Sequence, residues 1–267
     1  MKYYVVSDVH GFYSEMEKAL CDKGFFNDTE PHKLIICGDL LDRGKEAVKV
    51  QDFALELLHK GDLIFIRGNH EDLMVDMLND FEKYKNEIAW GYSHHVSNGT
   101  YDSALQLSNI DEYKSIQNSQ EFVTKTMLSP YYKELIPASV NYFETSNYIF
   151  VHGWIPCLTE NIPAWYRRNR HYESNQDWRN ASNKDWDMAR WFNGMELAEL
   201  HSIVESGKQI VCGHWHTSFG HSKLEQKCSE FGDDADFSPY YSKNIIAIDA
   251  CTAHSGIVNC IVIEDEI

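Results

Sequence analysis

Residues 33–44 read Lys33-Leu34-Ile35-Ile36-Cys37-Gly38-Asp39-Leu40-Leu41-Asp42-Arg43-Gly44, an apolar run of strand length that stops at a glycine and passes into a polar loop. The same order recurs on either side. Tyr3-Tyr4-Val5-Val6 runs into Ser7-Asp8, and Asp62-Leu63-Ile64-Phe65-Ile66-Arg67 runs into Gly68-Asn69. Helix-compatible sequence lies between them, from Tyr13 to Leu20 and from Glu46 to Lys60. Strand, polar loop and helix, repeated three times, predict a sheet with crossover helices. Such sheets bind ligands beyond the carboxyl ends of their strands, where all three loops fall.

From about Leu73 to Leu135 the chain turns to mixed polar helical sequence rich in Asn, Glu and Lys, broken at Ser97-Asn98-Gly99-Thr100. Residues 73–147 are therefore expected to form a helical insertion or cap. The strand rhythm then returns. Tyr148-Ile149-Phe150-Val151 precedes His152, Gln209-Ile210-Val211-Cys212 precedes Gly213-His214, and Asn244-Ile245-Ile246-Ala247-Ile248 precedes Asp249, with a last strand from Ile257 to Ile263. No linker composition and no repeat of 20 to 50 residues interrupts the chain, so residues 1–267 are expected to fold as one domain. The pattern specifies an α/β sandwich and leaves one sheet or two open.

With 41 acidic against 24 basic side chains the 267-residue chain carries a net charge of −17, which disfavours nucleic acid and anionic membranes as partners. No apolar run approaches the ~18 residues of a membrane span, and the N-terminus has no signal-peptide core, so a cytoplasmic protein is expected. The seven cysteines are scattered without a CxxC pair, the pattern of reduced thiols.

Asp8, His10, Asp39, Asn69, His70, His152 and His214 all lie just beyond the end of a predicted strand. Oxygen and imidazole donors without thiolate, with one carboxylate able to bridge, suit two divalent ions such as Mn, Fe, Zn, Ni or Co, of which manganese is the expected pair.

The motifs Asp8-Val9-His10-Gly11, Gly38-Asp39-Leu40-Leu41-Asp42-Arg43-Gly44, Gly68-Asn69-His70-Glu71, Val151-His152-Gly153 and Gly213-His214-Trp215-His216 resemble those of the calcineurin-like metallophosphoesterases. Within them the chain is similar to the phosphoprotein-phosphatase branch, which includes bacterial Ser/Thr phosphatases and symmetric diadenosine-tetraphosphatases. The resemblance implies a four-layer αββα sandwich of two mixed sheets, the metallophosphatase fold. It implies that Asp8 and His10 hold one ion, that Asp39 bridges, and that Asn69, His152 and His214 complete the second. The reaction implied is in-line attack of a metal-bridging hydroxide on a phosphate ester. His70 would protonate the leaving oxygen, oriented by Asp42, while Arg43 and Asn69 would hold phosphoryl oxygens.

Relatives often carry a second phosphate-gripping arginine between the last two metal histidines. Arg167, Arg168, Arg170, Arg179 and Arg190 are candidates, and Arg190, 24 residues before His214, is preferred. Asn98-Gly99-Thr100 resembles the family's glycine turn, with Thr100 where a second glycine is usual, and reads as structural. Glu71 is expected to cap its helix, and Asp249 to support the site without ligating. The aromatic and basic stretch from Trp154 to Trp191 is expected either to wall the site and stack a nucleobase or to pack as a lid. The expected substrate is a phosphoprotein or other phosphomonoester; the alternative is a dinucleoside tetraphosphate cleaved to two ADP, and a third reading is a non-catalytic phospho-ligand binding protein.

Overall fold

The computed structural model describes residues 1–87, 89–159 and 171–266. β1 (Lys2–Val6), β2 (His32–Cys37) and β3 (Leu63–Ile66) pair in parallel, joined by α1 (Tyr13–Asp22) and α2 (Ala47–Lys60). A second sheet holds β4 (Phe143–Glu144), β5 (Tyr148–Phe150), β8 (Gln209–Cys212), β10 (Ile245–Ala247) and β9 (Tyr240–Tyr241) in that order, its three central strands parallel. β11 (Cys260–Glu264) runs antiparallel to β1 and closes the first sheet, while β6 (Leu158–Thr159) and β7 (Tyr172–Glu173) form a separate pair.

The period-2 alternation of each strand divides its side chains between two cores. Tyr3 and Val5 of β1, Ile35 and Cys37 of β2, and Ile66 of β3 meet Phe150, Val211 and Ile246 of the second sheet in a core between the sheets. Tyr4, Val6, Leu34, Ile36, Leu63 and Phe65 face the other way, onto the helices of the first layer. Ile149, Ile210, Cys212, Ile245 and Ala247 do the same for the second layer, against α10 (Asn183–Ala189) and α11 (Gly194–Leu200). Burial on both faces explains why these strands read as unbroken apolar runs, and the three cores give the four-layer αββα sandwich.

Between β3 and β4 the chain forms α3 (Asn69–Asn79), α4 (Phe81–Tyr84), α5 (His94–Ser97), α6 (Thr100–Ser108), α7 (Glu112–Gln117), α8 (Ser119–Met127) and α9 (Ile136–Ala138). Phe81, Tyr101, Phe122, Tyr131 and Leu135 from this stretch join the core that covers β1 and β2. The last strand begins at Cys260 rather than Ile257, because Ile257 to Asn259 lead in as loop.

Candidate active site

The carboxyl ends of all six parallel strands reach one edge of the two sheets, and each is followed within a few residues by Asp8, Asp39, Asn69, His152, His214 or Asp249. To turn a side chain back over that edge the backbone reverses sharply. Asp8, His10, Asp39, Asp42, Arg43 and His214 all adopt left-handed φ, between 50° and 80°. That conformation costs of order 1–3 kcal/mol for a residue with a Cβ, and it persists where the surrounding structure over-determines it. Neighbouring glycines clear the space. A Cβ on Gly68 would collide with Asp39 and Glu71, and one on Gly213 with Ser7 and Asp8.

The imidazoles are held by their outer nitrogens. His10 Nδ1 donates to the Leu41 carbonyl at 3.0 Å and His152 Nδ1 to the Cys37 carbonyl at 2.8 Å, which turns both Nε2 atoms inward. His152 Nε2 stands 2.8 Å from Asn69 Oδ1 and 3.3 Å from Asp39 Oδ1, whereas His10 Nε2 lies 3.8 Å from Asp39 Oδ2 and 3.9 Å from Asp8 Oδ1. Two ligand triplets, His10–Asp39–His70 and Asp39–His152–His214, share the Asp39 carboxylate. Asp8 Oδ2 also accepts from the backbone N–H of His214 at 2.9 Å and from the Ser7 hydroxyl, so both halves of the chain are tied at this point.

The electrostatics fit a dicationic occupant. Burial, then the Asp249 charge, pushes Asp8 well above the usual carboxylate range, and burial lifts Asp249 to about 6. Burial opposes charge on His152, yet Asp39, by charge and hydrogen bond, with Asp8 raises it to about 10. Burial, then the His152 charge, brings His214 down to about 3. Carboxylates crowded in a dry site, with inward imidazole nitrogens and no thiolate among them, are the donor set of two borderline or hard divalent ions.

His70 occupies a different position. Its Nδ1 lies 2.6 Å from Asp42 Oδ2 and its Nε2 3.8 Å from Asp39 Oδ2. Burial opposes its protonation, but Asp39 and Asp42 together raise its pKa above the ordinary imidazole value. Arg43 Nη1 donates to His10 Nε2 at 2.9 Å and its Nη2 lies 3.4 Å from His70 Nε2, so the guanidinium faces the space those rings enclose.

Three residues carry more than their sequence context suggests. Glu71 is fully buried and accepts four hydrogen bonds, from the backbone N–H of Gly68, Asp39 and Leu40 and from the Tyr131 hydroxyl, joining the loops after β2 and β3. Thr100 Oγ1 donates to Asp42 Oδ2 at 2.6 Å, and the Asp42 backbone N–H donates to Ser103 Oγ at 2.8 Å. Gly99, at φ 83°, lies so close to the Arg43 backbone that a Cβ would collide with it. The Asn98-Gly99-Thr100 turn thus holds the Asp42 carboxylate and packs on the Arg43 backbone, a structural role as expected. Glu71 closes the Gly68-Asn69-His70-Glu71 motif and Thr100 the Asn98-Gly99-Thr100 turn, but neither signal indicates the partners they meet.

Arg190 is placed otherwise than a free phosphate ligand. Its Nη1 donates to Asp72 and Asp187 at 2.7 Å, its Nη2 to Asn141 at 2.6 Å, and its guanidinium is all but buried. Arg179 is taken up by Glu144 and Glu205 and lies over the Trp178 ring. Arg167, Arg168 and Arg170 lie outside the described residues. Trp154, Trp178 and Trp186 are core residues, and His216 pairs with Ser218 and Glu230. Trp191 and Trp215 remain accessible and, with Tyr172 and Phe192, line a cavity of about 530 Å³ that reaches His214. The Trp191 ring stands edge-on to His214 at 5.8 Å. Among the described residues no helix is long and apolar enough to cross a membrane.

The calcineurin-like phosphoesterase family matches residues 1–218. The asymmetrical bis(5'-nucleosyl)-tetraphosphatase PrpE of Bacillus velezensis is 28% identical over 138 residues, 49% of this chain and 51% of its own. The symmetrical bis(5'-nucleosyl)-tetraphosphatase of Buchnera aphidicola is 36% identical over 33% of this chain and 30% of its own, and serine/threonine-protein phosphatase 1 of Salmonella typhimurium is 36% identical over 27% and 31%. The chain thus matches about half the length of its curated relatives or less. A serine/threonine phosphatase from Saccharomyces cerevisiae shares the fold, with a TM-score of 0.50 and 14% identity over all of this chain and 80% of that one. With the family's pattern running through five of the six strand-end loops of the sandwich, the chain belongs to the calcineurin-like phosphoesterases.

Proposed function

We propose that this protein is a dimetal phosphoesterase acting on phosphomonoesters, in the manner of a phosphoprotein phosphatase. The observation that carries the reading is the Asp39 carboxylate at the sheet edge, whose Oδ2 faces His10 Nε2 at 3.8 Å and whose Oδ1 faces His152 Nε2 at 3.3 Å. Asp8 and His10 would hold one ion, Asn69, His152 and His214 the other, and Asp39 both. When bound, the ions supply Lewis acidity to a water and to the phosphoryl oxygens, and Mn²⁺ is the pair we expect.

The chain's own groups do the rest. Arg43 offers a planar fork to phosphoryl oxygens, swinging off the Nε2 atoms of His10 and His70 that it now meets. His70, kept protonated by Asp42 and Asp39, gives the Nε2 proton to the leaving oxygen, and Asp42 fixes the ring through Nδ1. Asn69 contributes a side-chain amide beside His152 that can contact both ion and phosphate. Arg190 reaches substrate only by releasing Asp72, Asp187 and Asn141.

A second reading, a symmetric dinucleoside tetraphosphatase giving two ADP, has one observation in its favour. The cavity beside His214 presents Trp191, Trp215 and Tyr172, surfaces on which a nucleobase would stack. Hydrolysis of an aryl phosphate, a phosphoserine peptide and diadenosine tetraphosphate by the Mn²⁺-loaded protein, with a chelator control, separates the readings. Chelator-sensitive turnover of the monoesters above that of the dinucleotide supports the first, preference for the dinucleotide the second. His70→Asn should lower kcat by 10²–10⁴ with ion content unchanged. Silence on all three substrates with ions bound would overturn both readings.

A further inference from the structure

Away from the catalytic edge, Asp76 on α3 and His94 and His95 on α5 bring one ligand atom each within 4.8 Å of the others. His95 is fully buried, and neither of its ring nitrogens has a hydrogen-bond partner. A buried imidazole without such partners is costly and calls for an explanation. Its Nε2 stands 3.3 Å from Asp76 Oδ2, an ion-pair separation. That spacing matches the edge of about 3.4 Å between two ligands bonded at about 2.1 Å in a tetrahedral zinc site.

The surroundings are arranged as a metal's outer shell would be. The Tyr84 hydroxyl donates to Asp76 Oδ2 at 2.9 Å, and the Tyr84 ring lies 4.6 Å from that of His95. His94 is exposed, and its ring centroid lies 3.9 Å from that of His95.

We propose that Asp76, His94 and His95 bind a divalent transition ion of the zinc class, separate from the catalytic pair, with its fourth position open to water. The ion ties α5 to α3. α3 carries Asn69 and His70 in its first turn, and α5 leads through Gly99 to Thr100, which holds Asp42. The site therefore braces the two elements that position the proton donor without touching substrate.

Equilibrium dialysis of the full chain against Zn²⁺, with ions per chain counted by mass spectrometry, tests this in wild type, His94→Ala and Asp76→Asn. Both altered residues are exposed, so the fold should survive, which circular dichroism checks. Each variant should bind one ion fewer than wild type, and the Co²⁺-loaded variants should lose part of the visible absorption of tetrahedral Co²⁺. Zn²⁺ should also raise the Tm of wild type above that of either variant. Equal ion counts and superimposable Co²⁺ spectra across the three proteins overturn the proposal, whatever phosphatase activity they show.

Discussion

Glu71→Gln tests whether the site is held from beneath. The carboxylate is wholly buried, with the Gly68 and Asp39 N–H groups on Oε2 at 2.7 and 3.0 Å, and the Leu40 N–H and Tyr131 hydroxyl on Oε1 at 3.0 and 2.9 Å. An amide of the same shape must turn an NH2 toward one of these pairs. The better orientation points it at Tyr131, whose hydroxyl can rotate to accept, and leaves the Leu40 N–H facing a donor. One buried N–H without an acceptor costs about 1–3 kcal/mol, and the two bonds that lose charge assistance weaken further. Against this, burial already pushes Glu71 above its ordinary pKa, so replacing the carboxylate recovers part of its desolvation cost. The net expectation is a loss of about 2 kcal/mol, a Tm lower by about 4–8 °C for a chain of this size. Because the same bonds hold the backbone of Asp39 and lead into Asn69, metal affinity should fall by about 10- to 100-fold. Thermal denaturation of the chelated protein and a Mn²⁺ titration read the two effects separately. A Tm within a degree of wild type, with unchanged metal affinity, would refute the reasoning.

Thr100→Val removes the hydroxyl that shares Asp42 Oδ2 with His70. A freed carboxylate oxygen should raise the His70 pKa, moving the alkaline limb of the rate profile upward while kcat falls about fivefold, roughly 1 kcal/mol; Thr100→Ser should restore both, and an unaltered profile would exclude the positioning role. Arg190→Ala should destabilise the protein by about 2 kcal/mol by removing a buried guanidinium that joins Asp72, Asp187 and Asn141, with little change in KM. A raised KM at constant Tm would instead return Arg190 to the phosphate. Glu144 is held down to about 2, mainly by hydrogen bonds from Arg179, with Lys208 adding to them against burial. A depressed folded-state pKa contributes stability above about pH 4.5 that is lost as pH falls toward 2. After discounting for its partial exposure, Glu144→Gln should cost about 2 kcal/mol at pH 7 and almost nothing near pH 2 in urea denaturation. A cost independent of pH would assign the effect to packing.

The candidate ligands were legible because each follows an apolar run that ends at a polar turn, a pattern visible within ten residues. The two-sheet division was not. It rests on which of Tyr3 or Tyr4, Ile35 or Ile36, faces the second sheet, and local sequence cannot say so. The edge strands β4 and β9 hold two residues each, too few for a period to register. Five arginines between His152 and His214 look alike in sequence. The two described ones differ in their distant acceptors, Glu144 for Arg179 and Asp72 for Arg190, 35 and 118 residues away. Glu71 reaches Leu40 across 31 residues and Thr100 reaches Asp42 across 58, so their contacts arise from the meeting of loops and are not visible in the motifs that contain them.

The left-handed residues explain why those long-range contacts are needed. A chain leaving the end of a buried strand points its next side chains along the strand or back into the sheet, and only a tight reversal aims them over the edge. Glycine would make that turn freely but brings no ligand atom. Asp and His tolerate it better than bulkier residues, and at Asp8, His10, Asp39, Asp42 and His214 the candidate site residue takes the strained conformation itself. Each such residue would relax if its neighbours allowed. Glu71 beneath Asp39 and Leu40, the His214 N–H on Asp8, and Gly99 against Arg43 are what prevent it. The candidate ligands are thus positioned by contacts from their neighbours, of which Glu71 and Gly99 would touch neither ion nor phosphate. It follows that loss of one such support should appear first in metal affinity and stability, and in substrate binding only through the metals.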